Sequence, residues 1–259
     1  MRYIATIVTS LLLAGTASAA TINVPGDQPT IAAAINASVS GDVIAIAAGT
    51  YYEANLNPGG KAITIGSASG NPDVTIDAQQ SGSVFVINSG EGNGTVIKDL
   101  VITGGTGTAL GDLTGGGGIY CLYSNPAISG CTISGNTASG GAGGIWCEFS
   151  SPTISGCMIE GNEATSGSGG GIASYSSNPT ISGCTIQGNT AGNAGGGIWC
   201  YESSPAISDC TIEGNTANYG GGIYCKNSFP MMITDCTITG NYANIGGGIY
   251  CWDNSNPTI

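Results

Sequence analysis

Residues 196–222 read Gly196-Gly-Ile-Trp-Cys-Tyr-Glu-Ser-Ser-Pro-Ala-Ile-Ser-Asp-Cys-Thr-Ile-Glu-Gly-Asn-Thr-Ala-Asn-Tyr-Gly-Gly-Gly222, and this stretch carries the plan of most of the chain. From residue 115 onward the same order recurs: Gly-Gly-Ile-aromatic-Cys, a turn with Pro, an Ile-Ser-Gly-Cys-Thr-Ile string or a close variant, then Gly-Asn. Asn136, Asn162, Asn189, Asn215 and Asn241 follow one another at spacings of 26, 27, 26 and 26, and Pro126, Pro152, Pro179, Pro205, Pro230 and Pro257 keep the same beat. A fixed period in this range marks a solenoid. Within the unit, Ile-x-Cys and Cys-Thr-Ile alternate with a period of two, as strands with one buried face do. Helical spacing is missing, and the glycines oppose it. Short strands joined by Gly, Asn and Pro turns stack into a coil whose rungs lie about 4.8 Å apart.

The period predicts which residues share a column. Ile119, Ile145, Ile172, Ile198, Ile223 and Ile249 form one interior stack, and Ile133, Ile159, Ile186, Ile212 and Ile238 a second. The asparagines stack at a bend, each amide bonding to the next, in a conformation that asparagine tolerates.

Composition narrows the chemistry. The 259 residues include 46 glycines, only 20 charged side chains, no histidine, and one arginine, Arg2, with a net charge of −12. No basic patch can be built, so nucleic acid is not an expected partner. Imidazole bases, histidine metal ligands and arginine clamps are excluded. At 41% apolar residues the chain is not a disordered one.

Residues 1–20 read as a signal peptide: Arg2, an apolar run over Tyr3–Ala14, and Ala17-Ser18-Ala19 as a small-x-small cleavage pattern. That run is shorter than the roughly 20 apolar residues a membrane span takes, so no transmembrane span is expected after its removal. Residues 21–114 read as an N-terminal cap with the first, irregular rungs. They hold one helix over Gln28–Ser38, with Thr30 as N-cap and Ile31 and Ile35 on one face, and strands at Val43–Ala47, Ala62–Ile65, Val74–Asp77, Val84–Ile87 and Val96–Ile102. A short helix there closes an open coil end. Residues 115–259 are the regular array, truncated mid-rung, since Asn256-Pro-Thr-Ile259 repeats Asn178-Pro-Thr-Ile181.

These residues resemble the right-handed parallel β-helix proteins of the pectate-lyase-like superfamily. The strings Pro29–Ile35, Gly41–Ile44 and Ala48–Tyr51 are similar to the opening segment of many secreted members. The repeats resemble those of the polymorphic outer-membrane protein family, with Gly116–Ile119 in place of Gly-Gly-Ala-Ile and Ile133–Asn136 in place of Phe-x-x-Asn. The resemblance implies an all-β solenoid of roughly 26-residue rungs, secreted or on the bacterial cell envelope surface, in a group that ranges from adhesins to polysaccharide lyases. Related lyases are similar in using arginine as base beside calcium-binding aspartates, and no arginine follows Arg2 here. Lys61, Lys98 and Lys226 do not cluster with acids.

Glu160 and Glu213 share a column two rungs apart, near 10 Å, slightly beyond the ~6.5–9.5 Å of an inverting glycosidase. They read first as solvated surface acids. The ten cysteines form two columns: Cys121, Cys147, Cys200, Cys225 and Cys251, and Cys131, Cys157, Cys184, Cys210 and Cys236. No Cys-x-x-Cys or histidine supports zinc. Ser174 interrupts the first column, which favours stacked buried thiols, while an exported chain keeps disulfides open.

The residue between Ile and Cys points away from the coil interior. It is Tyr120, Trp146, Ala173, Trp199, Tyr224 and Tyr250, and Tyr123, Phe149, Tyr175, Tyr201 and Trp252 lie close behind. An aromatic stripe at rung spacing is expected to be exposed and could stack on sugar rings, although the reading preferred for a repeat protein is that stacked rings simply stabilise neighbouring strands. The sequence therefore predicts a secreted or cell-surface β-helix with a structural, adhesive or glycan-binding role, with Tyr120, Trp146, Trp199, Tyr224 and Tyr250 as binding residues. No catalytic residue, metal or cofactor is expected. A polysaccharide-active lyase, hydrolase or epimerase is the alternative.

Overall fold

A computed structural model describes residues 18–110 and 113–259. The leader expected over 1–20 lies outside them up to residue 17. The described chain is a right-handed parallel β-helix. Parallel strands build four faces, with nine strands in the first sheet (Thr21–Val24 to Met232–Thr234) and eight in the second (Gly49–Tyr51 to Thr237–Thr239). Seven strands make the third sheet (Phe85–Ile87 to Ile249–Trp252) and five the fourth (Thr137–Ala138 to Tyr242–Ile245).

Register follows the repeat residue for residue. Ile119, Ile145, Ile172, Ile198, Ile223 and Ile249 pair in sequence along the third sheet. Ile133, Ile159, Ile186, Ile212 and Ile238 do so along the second. A third interior column, Ile128, Ile154, Ile181, Ile207 and Ile233, runs up the first sheet. Nearly all of these side chains are buried, and each contributes about 2 kcal/mol of transfer free energy.

Polar ladders satisfy the corners. Asn136, Asn162, Asn189 and Asn215 are fully buried. Each donates Nδ2 to the Oδ1 of the next asparagine at 2.9–3.0 Å, ending at Asn241. A second ladder, not foreseen, runs through Ser124, Ser150, Ser177, Ser203, Ser228 and Ser255, with each backbone N–H donating to the next hydroxyl. Its first member donates to the buried Glu91 carboxylate at 2.9 Å.

The helix is Ile31–Ala37, capped by Thr30, whose Oγ1 accepts from the Ala33 N–H at 3.1 Å. Its apolar residues Ile31, Ala34 and Ile35 are buried. Glu53 adds acceptors at 2.8 Å for the Ile31 and Ala32 N–H groups, which suits a carboxylate at a helix N-terminus. Two differences from the sequence reading have a local cause. The strand expected over Val96–Ile102 is two strands, Val96–Lys98 and Val101–Thr103, because Asp99 turns the chain from the first sheet to the second at φ 56°. Buried Leu100 fills that corner, so hydrophobicity runs through the bend unbroken. Short strands at Thr21–Val24 and Gly49–Tyr51 were not expected.

Candidate functional site

The aromatic residues between Ile and Cys do leave the coil interior, but they are not an exposed stripe. Tyr120, Trp146 and Tyr224 are 2%, 6% and 6% exposed, and Trp199 and Tyr250 are half-buried. The cause is the glycine run before each isoleucine, whose backbone lies against the aromatic row. A Cβ on Gly115 would stand 2.3 Å from the Tyr120 ring, one on Gly195 2.7 Å from Trp199 Cβ, and one on Gly246 2.6 Å from Tyr250 Cβ. Tyr120, Trp146, Ala142, Ala173 and Val86 thus make a small second core outside the coil. Trp146 and Trp199 lean together over Ala173, their rings 6.3 Å apart and 24° from parallel. The Tyr120 hydroxyl donates to Glu148 Oε2 at 2.6 Å. Burial, followed by that bond, holds the phenol pKa above its ordinary value, so Tyr120 stays a donor.

The more open rings come from the next two positions: Tyr123 and Phe149 at the corner, and the half-buried Tyr175 and Tyr201 one position earlier, in the column of Leu122 and Glu148. Tyr123 and Phe149 stack with centroids 5.0 Å apart and planes 7° from parallel. Phe149 meets Tyr175 edge-on at 5.7 Å, and Tyr175 stacks on Tyr201 at 5.6 Å and 7°. Lys226 continues the line, its Nζ 5.7 Å from the Tyr201 ring centre and 4.9 Å from that of Trp252. Trp199 reaches Tyr201 at 5.8 Å and so joins the covered row to the open one. Tyr123, Phe149 and Trp252 are 63%, 42% and 50% exposed. Tyr123 and Phe149 also hold φ of 49° and 47°, a left-handed conformation that bulky residues rarely take.

A second feature lies on another face. An open groove of about 760 Å³ follows the coil axis over the corner after the second sheet, lined by Ser134, Glu160, Gln187, Glu213 and Thr239 and the glycine after each. Gln187 stands between the two glutamates in the column, and its Nε2 donates to Glu160 Oε2 at 2.7 Å. The sequence reading paired Glu160 with Glu213 but missed the groove. The signal was there, in the column Ser134-Glu160-Gln187-Glu213-Thr239 beside an unbroken column of glycines.

The cysteines carry free thiols in both columns. Among the described residues no three or more Cys, Asp or Glu side chains come together as metal ligands would, and no helix is long and apolar enough to cross a membrane.

Residues 62–259 match the family profile described as "Right handed beta helix region". No curated protein sequence matches the chain. Among solved structures, the pectate lyase Pel9A is similar at a TM-score of 0.52 and 13% identity, over 95% of this chain and 78% of that one. The pectin methylesterase of Aspergillus niger is similar at 0.47 and 18% identity, over 95% and 87%. PemA of Erwinia chrysanthemi is similar at 0.47 and 13%, over 92% and 82%. Likeness at this identity concerns the fold.

Proposed function

The chain belongs to the right-handed β-helix family, and on that premise we propose that it is an exported, non-catalytic scaffold that binds a neutral polysaccharide along Tyr123, Phe149, Tyr175 and Tyr201. One observation carries this reading: four rings on four successive rungs follow one another in contact, the exposed Tyr123 and Phe149 from the corner and the half-buried Tyr175 and Tyr201 from the strand position before it, with the first two on strained backbone. Strain of this kind costs on the order of 1–3 kcal/mol and gathers at functional sites. Cross-strand stacking accounts for part of this row, and the exposed ring area of Tyr123 and Phe149 is what it leaves for a ligand. A rung spacing of about 4.8 Å is of the same order as the advance per sugar of an extended glycan, so successive rings can each contact one sugar.

Charge selects the ligand class. With a net charge of −12 and Lys226 the sole cation on the ladder, a polyuronate meets repulsion along the whole molecule. A neutral glycan loses nothing to the field and gains ring stacking. Tyr120, Trp146, Trp199, Tyr224 and Tyr250 then act as the packed support that fixes the open row. The adhesin-like outer-membrane reading of the repeats agrees with a binding surface of this shape.

Tryptophan fluorescence tests the proposal, because Trp199 touches Tyr201. Addition of a neutral β-linked oligosaccharide that binds is expected to shift Trp199 emission, and Tyr201→Ala is expected to weaken binding about tenfold or more, in line with the ~1–3 kcal/mol of one aromatic stacking platform. No response across a broad neutral glycan panel would defeat the proposal.

The second reading, a polysaccharide-active enzyme, has the groove in its favour. Glycines at 161 and 188 hold φ of 58° and 59°, and an added Cβ at either meets nothing within 4 Å. The left-handed corner after the third sheet instead carries Tyr123, Phe149, Ser176, Glu202, Asn227 and Asp253. The positive φ favours glycine over the groove, while the space above it is open, and open backbone suits close approach by a ligand. Turnover of a polysaccharide that Glu160→Gln abolishes would establish this reading and remove the non-catalytic one.

A further inference from the structure

The groove over the corner after the second sheet is rich in acceptors and poor in donors. One of its walls is a single outward column, Ser134, Glu160, Gln187, Glu213 and Thr239, in register on five adjacent strands. Gln187 donates its Nε2 to Glu160 Oε2 at 2.7 Å. Among the described residues no protein group donates to the side-chain oxygen of Gln187 or to the carboxylate of Glu213. No lysine reaches this wall, since Lys98 and Lys226 pair with Asp99 and Asp253, and Lys61 donates to Ile35 O. The strands of Glu160, Gln187 and Glu213 are each paired on both sides, so their opening to the groove belongs to the array and not to an end of the coil.

A ligand for this wall has to bring donors. An ammonium brings three of them together with a positive charge, which a net charge of −12 attracts. Glu160 and Glu213 stand two rungs apart, about 10 Å, with an amide between them. An extended β-linked glycan advances about one rung per sugar and turns each sugar over relative to the last, so alternate sugars present the same edge. An extended peptide is out of step with this wall, because its same-side side chains recur at about 6.6 Å.

We propose that the groove is a second binding site, for an extended amino-polysaccharide: a β-linked hexosamine chain with free amines, seated one sugar per rung. Alternate amines meet Glu160 and Glu213, and a hydroxyl of the sugar between them donates to the Gln187 amide oxygen. Ser134 and Thr239 continue the contacts at the two ends. Gly161 and Gly188, with nothing within 4 Å of where a Cβ would stand, let the sugars approach the backbone. The site lies on a different face from the ring row, does not depend on it, and breaks no bond of the polymer.

The test is a calorimetric titration of the full chain with a free-amine glucosamine hexamer, in a mildly acidic buffer that keeps its amines charged. The fully N-acetylated hexamer has the same length without the charge and is expected to bind about tenfold more weakly or not at all. Added salt should weaken the free-amine ligand. Glu160→Gln and Glu213→Gln should each lower its affinity about threefold, and the two together about tenfold. Glutamine already stands in this column at Gln187, so these variants are expected to fold. Tyr201→Ala, on the ring row, should leave this binding unchanged, which separates failure of the groove from failure of the row. An oligolysine of equal charge should bind more weakly than the hexamer. No binding of the free-amine hexamer, equal affinity for its acetylated form, an oligolysine that binds as tightly, or unaltered affinity in the folded double variant would overturn the proposal.

Discussion

Asn189 shows how much rests on a single side chain in a stacked fold. Its Nδ2 donates to Ile159 O at 2.9 Å and to Asn215 Oδ1 at 3.0 Å, and its Oδ1 accepts from the N–H and Nδ2 of Asn162 at 3.0 Å each. Asn189→Ala strands buried groups on both neighbouring rungs at once, and each costs about 1–3 kcal/mol. Urea unfolding is expected to register a loss of at least 3 kcal/mol; a loss below 1 would mean the ladder is ornamental to stability. Ser174 makes the reverse case. It takes a cysteine's place in the interior, and its Oγ is buried without a hydrogen-bond partner. Ser174→Cys removes that orphan and restores the column, so the urea midpoint should rise by the equivalent of about 1 kcal/mol. A lower midpoint would show that the site prefers the smaller side chain.

The corners and strands are where sequence reading succeeds and where it stops. The isoleucine columns and the asparagine ladder are legible because a strand's period of two and a fixed rung length map each residue onto one partner. Helix Ile31–Ala37 is legible through Thr30 and its two isoleucines. The covering of Tyr120, Trp146 and Tyr224 is not. Alternation says only that a side chain leaves the coil, and here the backbone of the glycine run comes back over it. The open ladder at Tyr123 and Phe149 lay one corner further on, at left-handed positions that the period-two rule cannot orient. The two kinds of glycine predict different responses. A Cβ on Gly197 would stand 2.6 Å from Gly222 O and 3.1 Å from Asn215 Nδ2, whereas Gly188 has only its positive φ to satisfy. Gly188→Ala is expected to cost about 1 kcal/mol, and Gly197→Ala several-fold more, by thermal unfolding. Equal losses would contradict the packing described for the glycine run.

Stacked thiols give the coil a collective pH response. Burial pushes the Cys147 thiol up to about 12, and bonding to the neighbouring thiol, then burial, lifts Cys157 and Cys184 to about 12. Their unfolded value is about 8.5. Below it both states are protonated and nothing is lost. Above it the unfolded chain releases protons that the folded one retains, so stability falls as pH rises toward 12. Three such groups remove about 4 kcal/mol per pH unit in that window, against the ~5–15 kcal/mol that holds a domain together. Circular dichroism should show the coil intact at pH 8 and unfolded by about pH 11; a fold unchanged at pH 11 would mean the thiols ionise in place. The long columns also set out the face proposed for binding, on which four rings follow one another rung by rung. Binding to that row should therefore depend on ligand length. Calorimetric titration with neutral oligosaccharides of two to six sugars tests this directly: affinity is expected to climb with each sugar up to about four, one per ring from Tyr123 to Tyr201, and then level off. Equal affinity for every length, or an unaltered length series in Tyr175→Ala, would contradict the ladder as the binding site.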